Sequence, residues 1–170
     1  MQPNISRISI QTEDFTHHTE YDALRHGHGK GGIEGDRTSK SAPGKNGAIV
    51  TFTGLVRDYT IDDNVSSIYI EHYEGMTEKA IEKICHEAHL RWSLGCIRVI
   101  HRIGELAAAE QIVFVGVTSA HRKDAFEAAQ FLMDYLKQSV PLWKKEFTGK
   151  GADWVEAKQS DAESFQRWCK

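Results

Sequence analysis

Residues 126–146 read FEAAQFLMDYLKQSVPLWKKE, and the proline at position 141 decides how they are parsed. Before it, Ala125, Ala128, Ala129, Leu132, Met133 and Leu136 recur at three- and four-residue intervals, the stripe of an amphipathic helix packed on a core. Pro141 has no N–H to offer the carbonyl of Lys137 and disfavours helical geometry at Val140. The spacing predicts a helix over Lys123 to Ser139, then an extended segment. Lys137 and Lys144, seven residues apart, would nearly superimpose on an uninterrupted helix. The break instead leaves Lys137 in a last helical turn, where the helix dipole favours a cation, and Lys144 on a strand that can fold back.

The same parsing extends outward. Alternation in SRISI (6–10) predicts a half-buried strand, and Thr16 to Leu24 a short helix. GAIVTFTGLVR (47–57), SSIYIEHY (66–73), CIRVIHRIG (96–104) and QIVFVGVTS (111–119) read as further strands. MTEKAIEKICHEAHLRW (76–92) reads as an amphipathic helix behind a Thr77 cap. WKKEFT and DWVEAK form an expected hairpin around Gly149 and Gly151, and Ser160-x-x-Glu163 an expected capping box for a last helix. Several neighbouring strands are joined by connections too short for a parallel crossover, so antiparallel pairing must contribute and the class is α+β. Residues 25–46, RHGHGKGGIEGDRTSKSAPGKN, carry almost no apolar side chain beyond Ile33 and are expected to form a disordered loop. There is no internal repeat, and 170 residues fit a single domain, 1–170.

Composition excludes whole classes. A net charge of −3 argues against a general nucleic-acid binder, so any basic site must be local. The longest apolar runs fall far short of the ~20 residues that span a bilayer. The polar opening MQPNISR is no signal peptide, which gives a cytoplasmic expectation. Cys85, Cys96 and Cys169 form no CxxC pair and suggest free thiols. The pairs His17-His18, His26-Gly-His28 and His86-x-x-His89 lack Cys or carboxylate partners at metal-site spacing, so no metal is expected. His101, within a strand, reads as structural. No GxGxxG, P-loop or GxSxG motif occurs, which removes support for dinucleotide, Walker-type and serine-hydrolase readings.

Cationic groups do gather at the ends of elements. Arg57 closes one strand, His121-Arg122 lies between a strand and a helix, and Lys137 and Lys144 flank the proline. If these converge, they make a cationic pocket suited to an anionic small substrate. The plain alternative is that each is separately solvated.

GAIVTFTGLVRD, EHYEGMTEKA, HRIGEL, VFVGVTSAHR, FEAAQFLMDYLKQSVPLWKKE and WVEA, collinear from residue 47 to about 158, resemble the large, catalytic subunit of molybdopterin synthase, the MoaE family. The resemblance implies an α/β hammerhead fold with an additional antiparallel sheet. It implies transfer of two sulfurs to cyclic pyranopterin monophosphate, forming the dithiolene of molybdopterin. The donor is a small ubiquitin-like subunit whose C-terminal Gly-Gly carries a thiocarboxylate, and no cofactor or metal is needed. It also implies a homodimer of large subunits at the centre of a heterotetramer. Residue by residue, the implied site comprises Leu55, Val56, Arg57, His121, Arg122, Lys137, Lys144, Lys145 and Glu146, with Phe52 and Met133 as apolar walls. Lys137 would be central, as proton donor and electrostatic stabiliser or as a nucleophile, with Lys144 binding anion and tuning it. Arg57, His121 and Arg122 would hold the phosphate and pterin.

The chain departs from this pattern in three places. The loop at 25–46 is longer than expected, Leu55 stands where a lysine can occur, and Lys158 stands where an arginine would reach into the neighbouring subunit. Two competing readings are a non-catalytic module that docks a ubiquitin-like tail and a different enzyme acting on a phosphorylated metabolite. Docking an uncharged tail does not call for a phosphate-sized cluster of cations, which argues against the first.

Overall fold

A computed structural model describes residues 5–26, 45–57, 65–148, 151–154 and 159–168. Most of the segment 25–46 and all of Lys158 lie outside them. The elements run β1 (Ile5–Gln11), α1 (His17–His26), β2 (Ala48–Leu55), β3 (Val65–His72), α2 (Met76–Arg91), β4 (Leu94–Arg102), β5 (Gly104–Ala107), β6 (Gln111–Ser119), α3 (Arg122–Gln138), β7 (Leu142–Thr148), β8 (Gly151–Trp154) and α4 (Gln159–Gln166). The architecture is mixed α+β in two four-stranded sheets, ordered β1-β4-β6-β2 and β5-β3-β7-β8.

The two central strands of the first sheet, β4 and β6, are buried on both faces. Ile97 and Val99 of β4, with Val113, Val115 and Val117 of β6, pack against Ile81, Ile84, Cys85 and Ala88 of α2 and Ala128, Leu132 and Leu136 of α3. The alternate residues Cys96, Ile100 and Phe114 turn to the other face and meet Phe15 and Leu24. That alternation explains why β4 and β6 read as near-continuous apolar runs. Arg98, on the same face as Cys96 and Ile100, binds Glu20 of α1 at 2.7 Å and Ser9 at 2.8 Å, with Arg98 and Glu20 both largely buried. β1 joins β4 in parallel, while β4, β6 and β2 pair antiparallel.

The second sheet is wholly antiparallel. Its inner face (Ile68, Ile70, Leu106, Leu142) packs on Val56 and Ile112, which belong to the end of the first sheet. The strand expected at 96–104 ends two residues early, at Arg102, and a further short strand that was not expected, β5, begins at Gly104, whose φ of 83° turns the chain into it. Only glycine adopts that left-handed angle without strain, and the angle redirects the chain from one sheet to the other.

Helix starts also depart from expectation. α2 is capped by Gly75, whose N–H donates to Glu78 at 2.6 Å, and not by Thr77, which lies inside the first turn and is fully buried. α4 begins at Gln159, so Ser160 stands within the helix and not before it. The proline break is as read: α3 stops at Gln138, Ser139 caps it by donating to the Tyr135 carbonyl at 2.8 Å, and β7 begins at Leu142.

Candidate active site

The strand β6 is the ruler for the site. Just before its start, Val56 N–H donates to the Glu110 carbonyl and Ala109 N–H donates to the Val56 carbonyl, both at 2.9 Å, so Arg57 is held by the 109–110 turn, just past the end of β6 where Leu55 pairs with Gln111. At its end, Gly47 N–H donates to the Ser119 carbonyl at 2.9 Å and His121 N–H to Ser119 Oγ at 3.2 Å. A nine-residue strand spans roughly 27 Å. Within one chain, therefore, Arg57 and the His121–Arg122 pair stand at opposite ends of the sheet, and the five expected cations do not converge.

Three of them do share an end. α3 starts directly after β6 and lies on the sheet, so its 17 residues run back about 25 Å. Its last turn, with Lys137 exposed on it, returns toward the start of β6. Leu142, just past the proline, packs against the cluster containing Val56. Two residues on, Lys144 shares the inner face of β7 with Leu142, and its Nζ meets Glu146 Oε1 at 2.7 Å. Arg57, Lys137, Lys144 and Glu146 thus border the seam where the second sheet meets the first.

Other expected residues take different places. Lys145 is on the opposite face of β7 from Lys144, with its ammonium 5.6 Å from the Trp154 ring centroid and 5.8 Å from that of Phe147. Trp143 joins this outer face, edge-on to Trp154 and Tyr73. Val56 is buried and spends both backbone groups on the 109–110 turn, so it anchors Arg57. Leu55 is exposed at the end of β2. Phe52 is exposed on β2 on the face that α3 covers, as its pairing with Val115 requires, and Met133 is half-buried on α3.

Buried polar residues outside the expected site support the seam. The Arg102 guanidinium, almost fully buried, donates to Glu110 Oε1 at 3.3 Å, to the Thr12 carbonyl at 3.2 Å and to the Gln111 carbonyl at 3.0 Å. Glu110 in turn accepts from Ala107 N–H at 2.6 Å, which fixes the turn that holds Val56. Thr77 Oγ1 donates to the Pro141 carbonyl at 3.0 Å and accepts from Tyr73 N–H at 3.0 Å. His101 is buried with Nδ1 2.8 Å from the Arg102 carbonyl. Burial drives the Cys85 thiol up to about 12 and raises that of Cys96, so neither offers a ready thiolate. Among the described residues no group of three or more His, Cys, Asp or Glu could hold a metal ion, and no helix is long and apolar enough to cross a membrane.

Two four-stranded sheets that meet at a seam, with Arg57, Lys137 and Lys144 at its border, define a protein of the mixed α+β class. The profile of the family described as MoaE protein matches residues 33–139, well over half of the chain. The molybdopterin synthase catalytic subunit of Vibrio cholerae is 46% identical over 95% of this chain and 97% of its own length. That of Escherichia coli is 57% identical over 73% of this chain and 83% of its own. A solved structure, the molybdopterin biosynthesis MoaE protein of Burkholderia ambifaria, superposes with a TM-score of 0.74 at 41% identity, covering 98% of this chain and 99% of that one. The chain belongs to the MoaE family.

Proposed function

We propose that the chain is the catalytic subunit of a molybdopterin synthase. It moves two sulfurs from the thiocarboxylated C-terminus of a small ubiquitin-like subunit onto cyclic pyranopterin monophosphate. The observation that carries this reading is the break at Pro141 in a member of the MoaE family, which leaves Lys137 in the last turn of α3 and Lys144 on β7. Lys137 acts at the reacting centre. Lys144, now paired with Glu146, exchanges that carboxylate for the substrate's anionic group, and Arg57 adds a bidentate donor. Phe52 and Met133 wall the apolar approach along which an extended Gly-Gly tail can lie, with Leu55 at its end.

The distance between Arg57 and the His121–Arg122 pair supports a composite site. In a homodimer, one copy supplies Arg57, Lys137 and Lys144, and the neighbour supplies His121 and Arg122, together with Lys158 in the place of the expected arginine. This reading keeps the resemblance's heterotetramer, its hammerhead topology with an added antiparallel sheet, and a single domain over 1–170. Lys145, held among aromatic rings on the far face, contributes to assembly more than to substrate contact.

Incubation with cyclic pyranopterin monophosphate and thiocarboxylated small subunit tests the proposal. Molybdopterin forms with wild type. Lys137→Ala lowers the rate by at least ~100-fold, the scale of a lost positioned acid or nucleophile, and Lys144→Ala raises KM while lowering kcat. A covalent amide between Lys137 and the tail, sought by mass spectrometry, separates a nucleophilic role from proton donation. Lack of product with intact partners would mean a docking module, and unimpaired turnover by Lys137→Ala would remove that lysine from the mechanism.

A further inference from the structure

We propose that Thr77 is a positioning residue for the reaction, fixing the break between Lys137 and Lys144 by a buried hydroxyl bridge; the inference rests on the reading of those two lysines as the working pair.

The pivot between them is short and has few ties of its own. Pro141 contributes no N–H, and the Leu142 N–H turns back to the Val140 carbonyl at 2.8 Å. The Pro141 carbonyl is met by Thr77 Oγ1 at 3.0 Å. Thr77 is itself immobilised: it is fully buried, its Oγ1 accepts from Tyr73 N–H at 3.0 Å, and its own N–H donates to the Tyr73 carbonyl at 2.9 Å. Tyr73 directly follows β3, whose last residue, His72, pairs with Leu142, and whose Ile70 pairs with Lys144. The hydroxyl therefore ties the end of β3 and the start of α2 to the same point from which α3 and β7 diverge.

A helix cap would not need this geometry. Gly75 already caps α2 with the help of Glu78, and Thr77 stands inside the first turn with its hydroxyl directed at a residue 64 positions away in sequence. A hydroxyl carries one donor and accepts at its lone pairs, so a single threonine can satisfy both the Tyr73 N–H and the Pro141 carbonyl. Without it, the Pro141 carbonyl loses its tie to α2, and the separation of Lys137 from Lys144 is held less firmly, by the Leu142 N–H bond and the β3–β7 pairing. Misplacement on the scale of 1 Å suffices to lower a rate roughly 100-fold.

The test compares Thr77→Val, which keeps shape and removes the bridge, with Thr77→Ser, which keeps the bridge, in the complete sulfur-transfer assay well below each melting temperature. Thr118→Val is the control for loss of an equally buried threonine hydroxyl, since Thr118 Oγ1 accepts from Cys96 N–H at 2.7 Å on the opposite face of the first sheet. The expected result is a kcat lowered roughly tenfold or more in Thr77→Val, a KM within about twofold, near-complete recovery in Thr77→Ser, and a wild-type kcat in Thr118→Val. Should Thr77→Val not fold, Thr77→Cys, a weak donor of similar size, is expected to be intermediate in kcat. A folded Thr77→Val or Thr77→Cys with wild-type kcat, or an equal loss in Thr118→Val, would overturn the inference while leaving Lys137 in place. Full activity of Lys137→Ala would instead overturn the reading beneath it.

Discussion

His101 shows how a single buried side chain links this fold to pH. A carbonyl oxygen only accepts, so the 2.8 Å contact with Arg102 places the hydrogen on Nδ1 of a neutral ring. Burial then pushes the imidazole down from its usual 6.5 to about 4, and nearby His72 pushes the same way. Because the folded value lies below the unfolded one, the unfolded chain takes up the proton first as pH falls. Stability from this residue is therefore full above about pH 6.5 and is lost progressively toward pH 4, by roughly 3 kcal/mol in all. Urea denaturation of wild type and His101→Asn between pH 7 and 5 checks this: the wild type should lose stability more steeply, and parallel slopes would contradict it. The structural role expected of His101 from its place in a strand is thus matched by its geometry. The Arg102 beside it, whose buried guanidinium steadies the turn under Arg57, carries no local pattern that announces such a role.

At the scale of elements, the α1 face of the first sheet depends on an absent side chain. A Cβ added at Gly116 would collide with Leu24 of α1 and stand 2.9 Å from Phe114 Cε1. Gly116→Ala is therefore expected to cost about 1–3 kcal/mol by overpacking, read as a lower melting temperature, with partial recovery when combined with Leu24→Val. An unchanged melting temperature would mean that α1 is not docked there. Pattern and length made the long elements legible, because α3 repeats its buried positions over several turns while β4 and β6 are nine-residue, near-continuous apolar runs. They failed where one residue's backbone governs the outcome. Gly104 at φ 83° ends what reads as a strand and opens β5, whose four residues are too few to show a period. Thr77 invited a cap assignment because threonine favours that position, yet the glycine two residues earlier took it and released the hydroxyl for the Pro141 carbonyl.

For the whole molecule, the order of strands within each sheet was not legible. Pairings such as β1 with β4 join residues some 90 positions apart, and no local pattern encodes them. The candidate residues were legible one by one, through proline geometry and through resemblance, but their arrangement was not. Arg57 and His121–Arg122 look like one cluster in the sequence and stand at the two ends of β6 in the fold. The central claim, a sulfur-transfer site completed by a second copy of the chain, is tested most directly by a mixed dimer. Lys137→Ala and Arg122→Ala chains carrying different tags are co-expressed, and the doubly tagged dimer is isolated and assayed for molybdopterin. Each variant alone should be nearly inactive. A mixed dimer holds one composite site with both residues intact, so it should recover about half of the wild-type rate. A mixed dimer no more active than its parents would contradict the composite site.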